Sequence, residues 1–338
     1  MMSTQTICKN CTKRALWMLM ISLQDIYMAQ SRLQGVAVRT PLLEWTGVTA
    51  KRKLFLKLEN LQPIGAFKLR GAYNKVASLG EEERRRGVIS YSSGNHAQGV
   101  AYAARALGVK ALIVMPNNAP KNKFEATAAL GAEIVTVGPG SEERRQRAEQ
   151  LAAEHGYAIV PPYNDEKIIA GQGTVGLEIL EDLPEVETVI APVGGGGLIS
   201  GISAAIKLMN PAVKVIGAEP ELAGDARASL RAGHVVSFPA EQVSQTMADG
   251  LRTQSVGEIN FAHIRAYVDD IISIKESEIR EAARALSANA KTVAEPSGAV
   301  SVAALMFHAE ELPQTRNNVA VISGGNIDPQ FLAELRSA

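Results

Sequence analysis

The sequence predicts an α/β protein built on two open, mainly parallel sheets. Short apolar strand-like runs alternate with stretches of helical periodicity along most of the chain, the pattern of parallel strands joined by crossover helices. The length of 338 residues exceeds what one hydrophobic core usually organises, so two domains with sizeable cores are expected. Four turns rich in glycine and small polar residues lie where such strand-like runs end, the carboxyl-end position at which open α/β sheets bind ligands.

The first strand signal is the alternation of Leu54, Leu56 and Leu58 with Lys53, Phe55 and Lys57, and the spacing of Ala72, Val76 and Leu79 signals a helix after it. Lys68 lies at that junction, in Gly65-Ala66-Phe67-Lys68-Leu69-Arg70-Gly71-Ala72. An amine shielded from water there loses its proton near neutral pH and forms a Schiff base with an aldehyde. The plainer alternative is a solvated lysine at a helix start. A strand over 87–91 runs into Ser92-Ser93-Gly94-Asn95-His96-Ala97 and a helix carrying Val100, Ala103, Ala104 and Leu107. Amides at a helix start face any approaching anion. Ordinary capping by Ser93 or Asn95 would need one such residue rather than a cluster.

Strands are expected over 111–115 and 133–137, with helices over 121–130 and 142–155. The apolar strand 188–193 leads into Gly194-Gly195-Gly196-Gly197 and a helix through Ile199, Ile202, Ala205 and Ile206. Consecutive glycines let the backbone approach a ligand and aim successive amides at it, which suits a phosphate; loop flexibility is the alternative. A dinucleotide fingerprint fits poorly, because the acidic residue nearest the ribose-binding position is Glu219. A strand over 213–218 precedes Glu219, and the last, 319–323, ends in Ser323-Gly324-Gly325-Asn326.

With 35 basic and 35 acidic residues the chain carries no electrostatic footprint for nucleic acid or an anionic membrane, so its partners are expected to be small molecules and copies of itself. Cys8 and Cys11 form a lone Cys-x-x-Cys without the second pair a zinc site needs or the usual strand-to-helix setting of a redox pair. Residues 1–20 hold a short apolar run after Lys13 and Arg14 but no cleavage site, and read as a non-native or frayed leader.

The lysine motif, the 92–97 turn, the tetraglycine turn, Ala170-Gly171-Gln172-Gly173-Thr174 and Ser323-Gly324-Gly325-Asn326 together resemble the fold type II pyridoxal phosphate enzymes of the serine racemase and serine/threonine dehydratase family, over about residues 23–331. Ala66 departs from the pattern, since many relatives carry serine before the Phe-Lys pair. The resemblance implies a tryptophan synthase beta-like architecture: a small domain, 87–164, inserted into a large one formed by 21–86 and 165–338, with pyridoxal 5′-phosphate in the cleft. It implies that Lys68 holds the cofactor and serves as base, that Phe67 packs on its ring, Asn95 bonds the ring hydroxyl, Gly194, Gly195, Gly196 and Gly197 hold the phosphate, and Ser323 faces the pyridine nitrogen. Ser93 matches a second acid–base group on the other face, and Ser92, Asn95 and His96 a carboxylate-binding loop. Arg144 matches an arginine that reaches the substrate side chain, although its neighbours Glu142 and Glu143 also suit a solvated ion-paired face.

The resemblance further implies that Glu219, the Ala223 carbonyl and Asp225, which match the family's spacing, hold a divalent cation, where oxygen ligands suit Mg²⁺, Mn²⁺ or Ca²⁺; a solvated acidic loop is the alternative. The expected protein is thus a cytoplasmic, homodimeric lyase of this family that converts L-serine and L-threonine to 2-oxo acids and ammonia, with serine racemisation as a second activity. The rivals are a 3-hydroxyaspartate dehydratase, a beta-replacement enzyme of the cysteine synthase type, and a catalytically silent amino-acid-binding module, which retention of Lys68 disfavours.

Overall fold

The computed structural model describes residues 20–46, 52–92, 94–119, 121–138 and 140–337. Cys8, Cys11 and all of the expected leader except Met20 lie outside them. The chain enters through α1 (Leu23–Leu33), where the Ser22 hydroxyl accepts from the Asp25 amide and the Asp25 carboxylate accepts from the Ser22 amide, so two amides of the first turn are satisfied reciprocally. Next come β1 (Leu42–Glu44), β2 (Lys53–Leu58), α2 (Lys68–Ala77), α3 (Glu81–Arg86), β3 (Val88–Tyr91), α4 (Asn95–Leu107), β4 (Ala111–Pro116), α5 (Lys121–Ala129), β5 (Glu133–Val137), α6 (Ser141–His155) and β6 (Ala158–Ile159). The remainder is α7 (Glu166–Asp182), β7 (Thr188–Pro192), α8 (Gly197–Met209), β8 (Lys214–Pro220), α9 (Asp225–Ala232), α10 (Ala240–Val243), α11 (Glu258–Tyr267), β9 (Asp270–Ile274), α12 (Glu276–Ala288), α13 (Pro296–Phe307), β10 (Asn317–Ile322) and α14 (Pro329–Ser337).

The strands form a six-stranded sheet in the order β1-β2-β10-β7-β8-β9 and a four-stranded sheet in the order β5-β4-β3-β6. Every pairing is parallel except β1 with β2. Helices cover both faces, as parallel sheets require, and the strand period of two divides the core accordingly. In β10, Ala320 and Ile322 join a cluster with Ile279 and Leu286 of α12 and Val300 and Ala303 of α13, whereas Val319 and Val321 join Val175 and Ile179 of α7 and Ile199, Ile202 and Ile206 of α8 on the other face. In the smaller sheet, Val88, Ile113 and Met115 pack with Val76 of α2 and Val100 and Ala103 of α4, while Ile89, Leu112 and Val114 meet Ala148 and Leu151 of α6. Helix α2, although it precedes residue 87, therefore lends its apolar face to the smaller sheet.

The expected strands all form, with ends displaced by at most two residues, as where β8 runs on to Pro220 and β10 starts at Asn317. Three strands were not expected. β1 and β6 are too short to show a period, and β9 opens on an acidic residue that breaks its apolar run. Lys68 does not directly follow its strand either. A 3-10 turn, Glu59–Leu61, and a loop intervene, because that loop is itself paired: the Phe67 amide donates to the Ser323 carbonyl at 3.0 Å and the Gly325 amide to the Gly65 carbonyl at 2.9 Å.

Candidate active site

Strand β10 lies between β2 and β7, so the segments leaving the carboxyl ends of three adjacent strands meet: the Lys68 loop, the tetraglycine turn and the turn at Ser323. From the other sheet β3 brings in the turn at 92–97. The result is a cavity of about 450 Å³ lined by Phe67, Lys68, Ser92, Asn95, His96, Arg144, Gly194, Gly195, Gly196, Gly197 and Ser323. Every sequence-predicted cofactor and substrate residue among the described residues thus reaches one place. Ser93 lies outside the described residues.

Lys68 opens α2, with its amine 2.6 Å from the Pro162 carbonyl and 5.2 Å from the centroid of the Phe67 ring. Burial removes water from the charged form and lowers the amine to about 8, close enough to neutrality for a free-base fraction. Two residues further on, Arg70 anchors the helix start in a buried charge network. It donates to Glu59 at 2.7 Å and Glu178 at 2.7 Å, and Lys57 donates to Glu178 at 2.6 Å. Two cations and two carboxylates compensate one another there; loss of Arg70 would leave Glu59 buried without its cationic partner.

The plain capping role does not hold for Asn95. Its amide nitrogen donates to Glu295 at 2.6 Å and its oxygen accepts from Asn326 at 2.9 Å, so the amides at the start of α4 remain for a ligand. His96 is buried, with Nε2 3.0 Å from the Val160 carbonyl; burial first and then the Lys68 charge lower it to about 3. The ring is neutral. With Nε2–H directed at Val160, Nδ1 is an acceptor and not a donor toward an anion.

The tetraglycine turn stands at the N-terminus of α8, where Gly196 adopts φ 93° as the residue before the helix. That backbone is open to glycine and strained for other residues, and it points the first amides of α8 at the cavity. Ser323 is buried, and its hydroxyl lies 3.4 Å from the Ser297 carbonyl, leaving it a weak protein partner. Arg144 and Arg145 both line the cavity: Arg145 is held by Glu142 at 2.6 Å and Glu149 at 2.7 Å, and partial burial pulls Arg144 below the usual guanidinium range.

Glu219 and Asp225 lie beyond the cavity wall, both fully buried. Glu219 accepts from the amides of Ala226 at 3.1 Å and Arg227 at 2.9 Å, while one oxygen of Asp225 has no partner among the described residues. Burial and the adjacent Asp225 charge hold Glu219 well above the carboxylate range, and burial pushes Asp225 up to about 7. Among the described residues, no group of three or more His, Cys, Asp or Glu side chains is placed to hold a metal. Glu219 and Asp225 are thus withdrawn from solvent, while Glu221 between them is exposed.

Sequence reasoning missed Lys123, Tyr163, Asp249 and Glu295, which line the same cavity. Lys123 of α5 is ion-paired with Asp249 of the 3-10 turn Asp249–Leu251, which joins the two sheets' units across the cleft. The available signal was slight: Glu295 precedes Pro296-Ser297-Gly298, an acid immediately before a helix-starting proline.

A neutralisable amine facing a glycine-lined helix N-terminus defines an α/β enzyme that holds an anionic cofactor against a lysine. The chain belongs to the pyridoxal-phosphate dependent enzymes, whose family model matches residues 33–324. It is 49% identical over 319 residues to an L-threonine ammonia-lyase of Thermotoga maritima, covering 93% of this chain and 77% of that one. It is 40% identical to an L-threo-3-hydroxyaspartate ammonia-lyase of Saccharomyces cerevisiae, covering 93% and 95%. Maize serine racemase superposes with a TM-score of 0.89 at 37% identity over 93% of this chain and 96% of its own. Among the described residues no helix is long and apolar enough to cross a membrane.

Proposed function

We propose that this protein is an ammonia-lyase that dehydrates L-serine and L-threonine to pyruvate and 2-oxobutanoate with release of ammonia, and that it also racemises serine. The observation that carries this reading is the meeting, in one cavity, of a lysine lowered to about 8 with the helix-start amides of α4 and α8. The similarity to the threonine ammonia-lyase supports it. When bound, pyridoxal 5′-phosphate supplies an electron sink that acidifies the substrate's alpha C–H. The residues present fit it. Lys68 offers the amine, Gly194 to Gly197 the phosphate amides, Asn95 a donor for the ring hydroxyl, Phe67 a packing surface, and Ser323 an uncharged partner for the ring nitrogen.

The free-base form of Lys68 takes the alpha proton on one face, and Ser93 handles a proton on the other. Dehydration needs only the first group; racemisation needs both. Ser92 and the backbone amides of Asn95 and His96 hold the substrate carboxylate, and the neutral His96 ring adds no cation beside Lys68. The unit 87–164 acts as a small domain over this site.

The acidic loop fits a divalent cation, Mg²⁺, Mn²⁺ or Ca²⁺. What supports this is that two buried carboxylates lie together, one with an oxygen that has no partner among the described residues; the Ala223 carbonyl would complete an all-oxygen donor set for a hard ion. Exposed Tyr27, Met28, Val38, Leu43 and Leu61 support assembly as a homodimer, and we place the enzyme in the cytoplasm with no nucleic-acid or membrane partner.

A second reading, 3-hydroxyaspartate dehydration, is favoured by Arg144 on the cavity wall, whose planar fork suits a second carboxylate. Product analysis on L- and D-serine, L-threonine and the 3-hydroxyaspartates separates the two. Production of 2-oxobutanoate from L-threonine is expected; turnover of 3-hydroxyaspartate alone would favour the second reading, and sulfide-dependent cysteine formation would indicate beta-replacement instead.

A further inference from the structure

Glu295 stands directly before Pro296, the first residue of α13, and therefore at the cap position of that helix. An acidic side chain there ordinarily turns onto the free amides of the first turn. Here it makes no cap bond and turns into the cofactor cavity, where Oε1 accepts from Asn95 Nδ2 at 2.6 Å. The other end of the same amide is also held, because Asn95 Oδ1 accepts from Asn326 Nδ2 at 2.9 Å, and that nitrogen reaches the Ile64 carbonyl at 2.8 Å. Gly324 makes room for the pair. A Cβ at that position would lie 2.5 Å from Glu295 Oε1 and 3.1 Å from Asn95 Nδ2. Glu295 is 2% exposed, and its second oxygen has no partner among the described residues.

We propose that Glu295 is a positioning residue that, together with Asn326, locks the Asn95 amide so that its remaining N–H is presented to the ring oxygen of the cofactor. This rests on the reading of Asn95 as that oxygen's partner. An amide nitrogen carries two hydrogens, and with one committed to Glu295 the other is the only side-chain donor Asn95 has left. Without the carboxylate the amide is free to turn its carbonyl toward the ring oxygen, an acceptor facing an acceptor.

The charged groups around Glu295 are Lys123 from α5 and Asp249 from the 3-10 turn, with Lys68 of α2 and His96 of α4 in the same cavity. Burial first and then the Asp249 charge raise Glu295 to about 7, against the opposing pull of Lys123 and the Asn95 bond. The hydrogen bond to Asn95 is therefore weaker below that pH and charge-assisted above it.

The test is Glu295→Gln in the cofactor-loaded enzyme, followed by the visible absorption of the cofactor against pH, by kcat and KM, and by melting temperature. The cofactor should remain bound through Lys68, its spectral pH dependence around neutrality should flatten or move, and kcat should fall by ~10-fold or more with KM within ~3-fold. Asn95→Ala should give the same spectral change, and combining it with Glu295→Gln should add nothing, since both remove one arrangement. Gly324→Ala leaves the carboxylate in place but crowds the bond, and should reproduce the effect if Glu295→Gln fails to load cofactor. A wild-type spectrum and kcat in Glu295→Gln beside an altered Asn95→Ala, or additive losses in the double variant, would overturn the proposal. An unaltered Asn95→Ala would instead remove the reading of Asn95 beneath it.

Discussion

If the acidic loop holds a divalent cation, as proposed, its removal should make the protein's stability more pH-dependent. Glu219 and Asp225 are fully buried, and both carboxyls are held above their ordinary values, Asp225 from 3.8 to about 7. The native state without a cation therefore holds a proton that the unfolded chain has released, so the stabilising contribution of this pair is fully present below about pH 4 and is lost as pH rises toward 7. For Asp225 alone the shift of ~3 units corresponds to on the order of 4 kcal/mol. A chain of 338 residues has an unfolding entropy near 0.7 kcal/mol/K, so about 1 kcal/mol moves the melting temperature by ~1.4 °C and the whole effect is ~6 °C. A bound cation favours both ionised forms and cancels the loss. The assay is thermal unfolding at pH 5 and pH 8, in chelator and in Mg²⁺ or Mn²⁺; comparing the two conditions removes titrations elsewhere, such as Glu295 and His308. About 2 of the ~3 units fall between pH 5 and pH 8, so chelated protein should lose ~4 °C more over that interval than the cation-loaded protein, and Asp225→Asn should flatten the difference. An identical pH response with and without cation, or a full cation response in Asp225→Asn, would refute the reasoning.

Three further outcomes are expected. Lys68→Ala should abolish both turnover and the visible absorption of the lysine-bound cofactor, measured by spectroscopy of the reconstituted protein; a retained band would move the attachment to another amine. Ser93→Ala should reduce serine racemisation and D-serine elimination more than L-threonine elimination, as followed by chiral product analysis; equal losses would assign Ser93 to structure. Arg144→Ala should weaken malonate inhibition and 3-hydroxyaspartate turnover by at least ~10-fold, the scale of one lost charge-assisted hydrogen bond, with a smaller effect on L-threonine; unchanged malonate inhibition would remove Arg144 from substrate binding.

Much of the site was legible because its parts are local. A helix start with consecutive glycines, or with Ser92, Gly94 and Asn95 together, has few structural reasons to exist, and the amides it exposes depend on backbone within a few residues. The long strands were legible for the same reason, since a period of two shows within five or six positions. β1 and β6 fell below that length. The protonation of His96 was not legible, because the position of its proton depends on the Val160 carbonyl, 64 residues away, and on burial that no local pattern reports.

What the sequence determined by itself is therefore the order of α/β elements, the lysine and the ligand-facing turns, all properties of short segments and their spacing. The tertiary structure decided which turns converge, by inserting β10 between β2 and β7, and which charges face them. Asn95 and Glu295 are 200 residues apart, and Lys123 and Asp249 are 126 apart. The physical reason is the burial that the packed fold imposes. An isolated Glu295 is an ordinary acid before a proline, and it becomes a near-neutral group with one directed hydrogen bond only when α4, α5 and the turn at Gly324 close around it.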